Sequence, residues 1–541
     1  MPGRSERRRS GVALVVGGVL LNALALAALT VWHEGRSPSA ALGAWGRGDG
    51  SGAVFPFVLL SLSWWGLALA TCILRRMLGC GYGVVALARG VVDQALSLRG
   101  ILVPVGFLLF LLSVLPVGMD ASTPLRYRVQ SYLAYAIPLT ALFLSCSTVL
   151  FACRNVTAEM GSEGVGDLFV KPVGRGAYVL AKCLGLASVN FLLVVLCALL
   201  VYSNARFHLG GSRPLDALDA EALKQDVLVA RRAVGPQVDD DDLRQRARDR
   251  LAKLEAEAPG TVEQNGGAEA LLERFVVAER SRWGVLSAAG ASHPFIFEGL
   301  QGIRQRGIPF QLRYRVQALP FPSDGKVRLF FRWGDQQEPV VAKVGRAAAI
   351  SVPPSAVDEQ GRLVVFVEHQ PSESPRAVPP SVSFPIQGGL LVLFPWGTFG
   401  GNVARAFAAS WVRLVFLGAL AVFAASFLSF PVASLFALVL WMLSALGSAL
   451  VRLLEQFPPG VRGLRLRWFH EEVLFPVMGA LGRLVRQYSV LDAENAVVEG
   501  VYVSGGDLLR HALWIGCAWT GVCALAAWGV LRKREIAQVQ V

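Results

Sequence analysis

The sequence predicts an α-helical polytopic membrane protein of about eight transmembrane helices, carrying an inserted extracytoplasmic α+β domain made of a helical hairpin plus a β-sandwich. Three observations lead there. Hydrophobic residues fill 54% of the 541 positions and charged residues only 17%, where soluble domains average roughly a quarter charged. Several apolar runs are long enough to cross the roughly 30 Å of hydrocarbon that needs about 20 helical residues. Between about 295 and 394 the pattern changes to short runs in which apolar and polar residues alternate.

The spans come first. Segments 11–32, 53–74, 101–118, 132–153, 178–202 and 511–531 each read as one crossing, and 414–451 holds 38 residues without a charge. That run is too long for one span and long enough for two with a tight turn at Phe430-Pro431. Orientation follows from the Lys/Arg content of short loops. Arg4, Arg7, Arg8 and Arg9 precede the first span, Arg75 and Arg76 follow the second, and Arg154, Lys171, Arg175 and Lys182 surround the fourth and fifth. Arg532, Lys533 and Arg534 follow the last. All fall on one side, the cytoplasmic one, when the long run counts as two spans, which places both termini inside. Segment 11–32 is longer than the apolar core of a signal peptide, about 7–15 residues, and reads as an uncleaved anchor. The net charge of +13 is explained by the cytoplasmic loops and implies no nucleic-acid partner. The eight cysteines lie in or beside the spans and form no disulfide or zinc pattern.

The order along the chain is then as follows. Residues 1–76 carry two opening spans, and 77–99 is an amphipathic helix lying on the inner membrane surface. Residues 100–202 hold three spans, 203–405 leave the membrane, and 406–541 hold three more, with an outside amphipathic segment at 455–509. Within 203–405, residues 213–283 are helical and 294–394 read as a β-sandwich with strands such as QLRYRVQAL, KVRLFFRWG, AAAISVP, GRLVVFVEH and SVSFPI. Four consecutive aspartates, Asp239 to Asp242, sit at a helix start, where acids favour the macrodipole, and no D-x-D-x-D-G calcium loop follows.

Catalytic signatures are missing from the sequence. It has no G-x-x-x-x-G-K-[ST] phosphate loop, no G-x-S-x-G elbow and no H-E-x-x-H, and Phe469-His470-Glu471-Glu472 lacks the second histidine of a zinc motif. Asn155-Val156-Thr157 matches a glycosylation sequon on the cytoplasmic side, a chance match. Arg413 and Arg452 bracket the long apolar run and can snorkel. The chain is therefore expected to be no enzyme, with no catalytic residue, no metal and no cofactor of its own.

One polar passage stands out between two apolar segments: EMGSEGVGDLFVKPVGRGAYVLAK, 159–182. Pro172 fixes a helix end or turn, and Gly161, Gly164 and Gly166 permit sharp bends or close backbone contact. Between them 163–170 has room for two helical turns with Val165, Leu168 and Phe169 on one face. Glu159, Glu163, Asp167, Lys171 and Arg175 are left for water or a partner.

At these residues the chain resembles the type-2 ABC exporter permeases. Glu159, Glu163-Gly164, Leu168-Phe169, Pro172-Val-Gly-Arg175 and Lys182 are similar to the motif of that family, with Gly174 where a serine is usual and the glycine one place later than is common. The helix at 77–99 resembles the family's connecting helix, and 488–535 resembles its chain end. The resemblance implies that about 158–176 forms a coupling helix docking into a groove of a separate ATP-binding subunit, which holds the ATP and Mg. It implies Glu159, Glu163, Gly164, Asp167, Pro172 and Arg175 as coupling residues, and a working unit of two permeases, alike or different, with two ATPases. Lys182 is expected at the membrane interface, snorkelling to the inner headgroups. The competing reading is a non-transporting membrane scaffold whose sandwich binds an envelope polymer or partner protein. That reading needs an exposed aromatic platform, with Phe330, Phe331 and Trp333 as candidates, but the alternation of a strand favours a core role for them.

Overall fold

The computed structural model describes residues 54–79, 83–97, 99–120, 122–160, 174–209, 217–258, 262, 267–286, 290–370, 380–385, 388–445 and 493–533, together with Gly18. The chain divides into a helical unit, Met1–Ala230 with Thr398–Val541, and a β-rich unit, Arg231–Gly397.

The helical unit opens with α1 (Val54–Met77), α2 (Gly83–Ser97) and α3 (Arg99–Val114). It continues through α4 (Leu125–Glu159), α5 (Arg175–Ser203) and the short α6 (Ala217–Ala222). Among the described residues, five helical stretches are long and apolar enough to cross a membrane: Val58–Met77, Leu125–Glu159, Arg175–Phe207, Phe399–Ala425 and Gly505–Lys533. This is a helical membrane protein with a separate β-rich domain. The expected first span, 11–32, lies outside the described residues apart from Gly18, as do the end of the long run and the His470 segment.

The helix expected at 77–99 is α2, whose apolar stripe packs along α5, burying Ala88, Val91, Val92 and Ala95. Gly185 makes this possible: a Cβ there would stand 2.6 Å from the Val91 Cβ and 2.9 Å from the Ala88 carbonyl oxygen. A helical neighbour removes apolar area from water as well as lipid does, and the missing side chain lets it come close.

The long apolar run starts earlier than its composition suggests. Thr398 Oγ1 accepts a hydrogen bond from Gly401 N and caps the helix that runs Phe399–Ala425. The turn expected at Phe430-Pro431 falls at 426–429, just before the next helix, Phe430–Ala445. Arg405 and Arg413 therefore lie within a helix long and apolar enough to cross a membrane. Each charge has a partner, Arg405 over the Tyr502 ring at 4.7 Å and Arg413 on Glu494 at 2.9 Å.

The β-rich unit begins with β1 (Val229–Val234) and a helical hairpin, α7 (Asp240–Glu257) against α8 (Ala268–Arg282). Asp239 caps α7 by accepting from the N–H groups of Asp241 and Asp242, so the acidic run starts the helix. Arg250 ties the hairpin, bonding Glu279 at 3.0 Å with its guanidinium over Phe275. Ten more strands follow, β2 (Val285–Leu286), β3 (Ser292–Phe297), β4 (Phe310–Arg315), β5 (Gln317–Leu319), β6 (Lys326–Trp333), β7 (Gln336–Lys343), β8 (Ala347–Val352), β9 (Leu363–His369), β10 (Ser381–Ser383) and β11 (Leu390–Thr398), with a short helix, α9 (Gln301–Arg306), after β3. They form sheets ordered β1-β11-β4-β8, β2-β10-β5 and β3-β9-β6-β7.

The segment QLRYRVQAL is two strands. β4 pairs with β11 and β8, while β5 beyond Val316 pairs with β10 in a different sheet. Alternation does set the faces of β6: Val327, Leu329, Phe331 and Trp333 are buried and Lys326, Arg328 and Arg332 exposed. Phe331 and Trp333 are thus core, not a surface platform. The turn before β9 is fixed by Asp358, whose Oδ1 accepts from the N–H groups of Gln360 and Arg362, and by Gly361 at φ +77° with no room for a Cβ beside Gln301.

The rest of the helical unit is α10 (Phe399–Ala425), α11 (Phe430–Ala445), α12 (Ala493–Val498), α13 (Gly505–His511) and α14 (Thr520–Lys533), with a π-helical stretch, Ala512–Trp519, between the last two. Its core gathers Leu108, Tyr132, Leu133, Val201 and Ala406 from four helices at 1% exposure or less.

Candidate functional site

The polar passage leaves α4 at Glu159 and enters α5 at Arg175. Glu163, Gly164, Asp167 and Pro172 lie outside the described residues. Glu159, Arg175 and Lys182 are described, and the first and last come together.

Lys182 sits two turns into α5 and is 6% exposed. Its ammonium donates to Glu159 Oε1 at 2.6 Å and to Asn155 Oδ1, and it lies 5.4 Å from the centre of the Tyr178 ring. The expected reach to headgroups is replaced by an inward ion pair, because the carboxylate one helix away offers the charge a partner inside the bundle. Glu159 is engaged through both oxygens. Oε1 accepts from Lys182 and, at 3.3 Å, from Gln94 Nε2, while Oε2 accepts from the Tyr178 hydroxyl at 2.8 Å.

The amides complete a ring. Lys182 Nζ donates to Asn155 Oδ1, Asn155 Nδ2 to Gln94 Oε1, Gln94 Nε2 to Glu159 Oε1, and Lys182 Nζ to Glu159 Oε1. Every step pairs a donor with an acceptor, and α2, α4 and α5 each contribute. Next to Gln94, Asp93 is 5% exposed and forms an ion pair with Arg75 of α1, Oδ1 lying 2.8 Å from Nε. A second polar bridge joins α4 to α5 farther along, Thr148 Oγ1 donating to Asn190 Oδ1 at 2.9 Å.

Arg175 bonds elsewhere. Its Nη1 donates to the carbonyl of Arg532 at 2.6 Å, in the last turn of α14, where unpaired carbonyls attract cations. Beside the last turn of α4 a cleft of about 490 Å³ is lined by Arg154, Thr157, Ala158, Ser429 and Phe430.

Sequence reading identified Glu159 and Lys182 but not each other as partners, and missed Gln94, Asn155 and Tyr178. A signal was present: Asn155 and Glu159, and likewise Tyr178 and Lys182, are four apart and share a helix face. No group of three or more possible metal ligands occurs among the described residues. No protein-family profile matches the chain, and no curated protein or solved structure is significantly similar to it.

Proposed function

We propose that this chain is the membrane-spanning permease subunit of an ATP-driven exporter of the type-2 ABC class, energised by a separate ATP-binding subunit that docks on the 160–174 connection. The observation that carries the reading is the placement of that connection. An acidic, glycine-rich passage with Pro172 and Arg175 joins two membrane helices whose ends are anchored by Glu159–Lys182 and by Arg175 on α14. A lever needs stiff attachment at both ends, and this one has it.

The loop charges support placement in the cytoplasmic membrane with both termini inside and the β-rich unit outside. Two copies, or this chain with a related one, would pair with two ATPases holding ATP and Mg. For the scaffold alternative, Phe331 and Trp333 are core, Phe330 is half-buried, and Phe321 and Trp396 are exposed aromatics of the β-rich unit.

The test is extraction of the tagged chain from its native membrane in mild detergent, followed by mass spectrometry. A stoichiometric companion bearing a phosphate loop, lost when Glu163 and Asp167 are both changed to lysine, supports the permease reading. Extraction without any ATPase, under conditions that keep other transporters assembled, rules it out.

A further inference from the structure

We propose that Glu159 and Lys182 form an internal charge lock, not a docking contact, and that the lock makes α2, α4 and α5 move as one body and passes that motion through Gln94 and Asp93 to α1. The motion's origin at the 160–174 connection rests on the permease reading; the lock itself does not.

Glu159 is held from inside the bundle: Oε1 accepts from Lys182 and Gln94 and Oε2 from Tyr178. Turning the carboxylate outward would strand the Lys182 ammonium, 6% exposed, with Asn155 as its remaining hydrogen-bond acceptor. The ring also has directionality. Gln94 presents its carbonyl to α4 through Asn155 and its amide to α4 through Glu159, so α2 cannot slide along the pair without breaking both bonds.

The packing beneath enforces the same register. The Gly185–Val91 approach leaves no slack for α2 to rock on α5. One residue along from Gln94, Asp93 pairs its charge with Arg75 and brings in α1. Two adjacent side chains of α2 therefore face two different helices, one toward the roots of the connection and one toward α1. This gives α1, which stands outside the six-span pattern of the family it resembles, a mechanical task. Glu159, Lys182, Gln94 and Asp93 are positioning residues in this scheme.

The test uses the full chain, extracted with its companions into lipid nanodiscs, in four forms: wild type, Gln94→Leu, Glu159→Gln and the double swap Glu159→Lys with Lys182→Glu. Hydrogen exchange across 83–97, the amount of ATPase retained and the rate of ATP hydrolysis are read together. Gln94→Leu should speed exchange in α2 by about tenfold, keep the ATPase bound and lower hydrolysis severalfold. Glu159→Gln should do the same, and the swap Glu159→Lys with Lys182→Glu should restore α2 protection. If Glu159→Gln releases the ATPase while α2 exchange is unchanged, Glu159 is a docking contact and the lock is wrong. If α2 is protected as in wild type in both single variants, the ring carries no load and the proposal falls. If the wild type brings no ATPase, the permease reading fails, and α2 exchange still decides the lock.

Discussion

Arg413, fifteenth residue of the helix Phe399–Ala425, reaches the Glu494 carboxylate of α12 at 2.9 Å, with both side chains less than a fifth exposed. The pair pins α12 to the middle of a membrane helix. Arg413→Leu leaves Glu494 without that cation and should lower stability by about 2 kcal/mol, less than for a fully buried pair because water still reaches both groups. Thermal unfolding in detergent would show this as a lowered midpoint. Adding Glu494→Gln should recover part of the loss.

Removing Lys182 alone is expected to hurt more than removing the whole pair. Lys182→Met strands a carboxylate that is 19% exposed, whereas Lys182→Met with Glu159→Gln leaves two neutral groups of similar size. A cycle of the two single variants and the double one should give a coupling energy of about 1–3 kcal/mol. Additive losses would mean that the two charges do not meet.

Asn402 acts as a short piece of strand. Its Nδ2 donates to the Val501 carbonyl at 2.7 Å and its Oδ1 accepts from Val503 N at 2.8 Å. Asn402→Ala removes both bonds and leaves a buried N–H unpaired, so a loss of about 2–3 kcal/mol is expected. Faster amide exchange at Val503 than in wild type is the local signature to look for. Exchange unchanged there would show that the amide contributes nothing.

Gly185→Leu should separate α2 from α5. Its Cβ alone would overlap Val91 and the Ala88 carbonyl, and overpacking of this kind typically costs about 1–3 kcal/mol. Hydrogen exchange of 83–97 reads the separation directly.

The β-rich unit should weaken in mild acid. His293 lies among the rings of Trp283 and Phe295, and burial first, then the charge of Arg246, hold it below its ordinary value of 6.5. The unfolded chain takes up a proton at about 6.5 and the folded chain only at lower pH, so the unfolded state binds more protons between the two. The contribution is full above 6.5 and lost as pH falls below it. The unfolding midpoint, followed by tryptophan fluorescence, should drop by a few degrees from about pH 7 to about pH 5, and His293→Gln should flatten that drop.

What the sequence makes legible follows the reach of its signals. Spans and strands are periodic over many residues, so the helix turn near Phe430 and the inward faces of Phe331 and Trp333 can be read off directly. Positions that depend on contacts between distant residues cannot. Gln94 and Asn155 are 61 apart and look like ordinary polar residues until α2 is laid on α4. Likewise Arg413 resembles a snorkelling charge until Glu494, 81 residues on, folds back to it. The alternation of 311–318 runs unbroken through Val316, yet the chain divides there between two sheets, with the Val316 carbonyl accepting from Gly345 N, a division invisible in periodicity.

The order β1-β11-β4-β8 has one more implication. The strand that brings the polypeptide into the β-rich unit and the strand that takes it out are side by side, so the gap between them is at most about one strand length, roughly 30 Å. The unit is a cassette: spliced into a loop between two membrane helices, it need not pull them apart, and a tether of about ten residues could stand in its place.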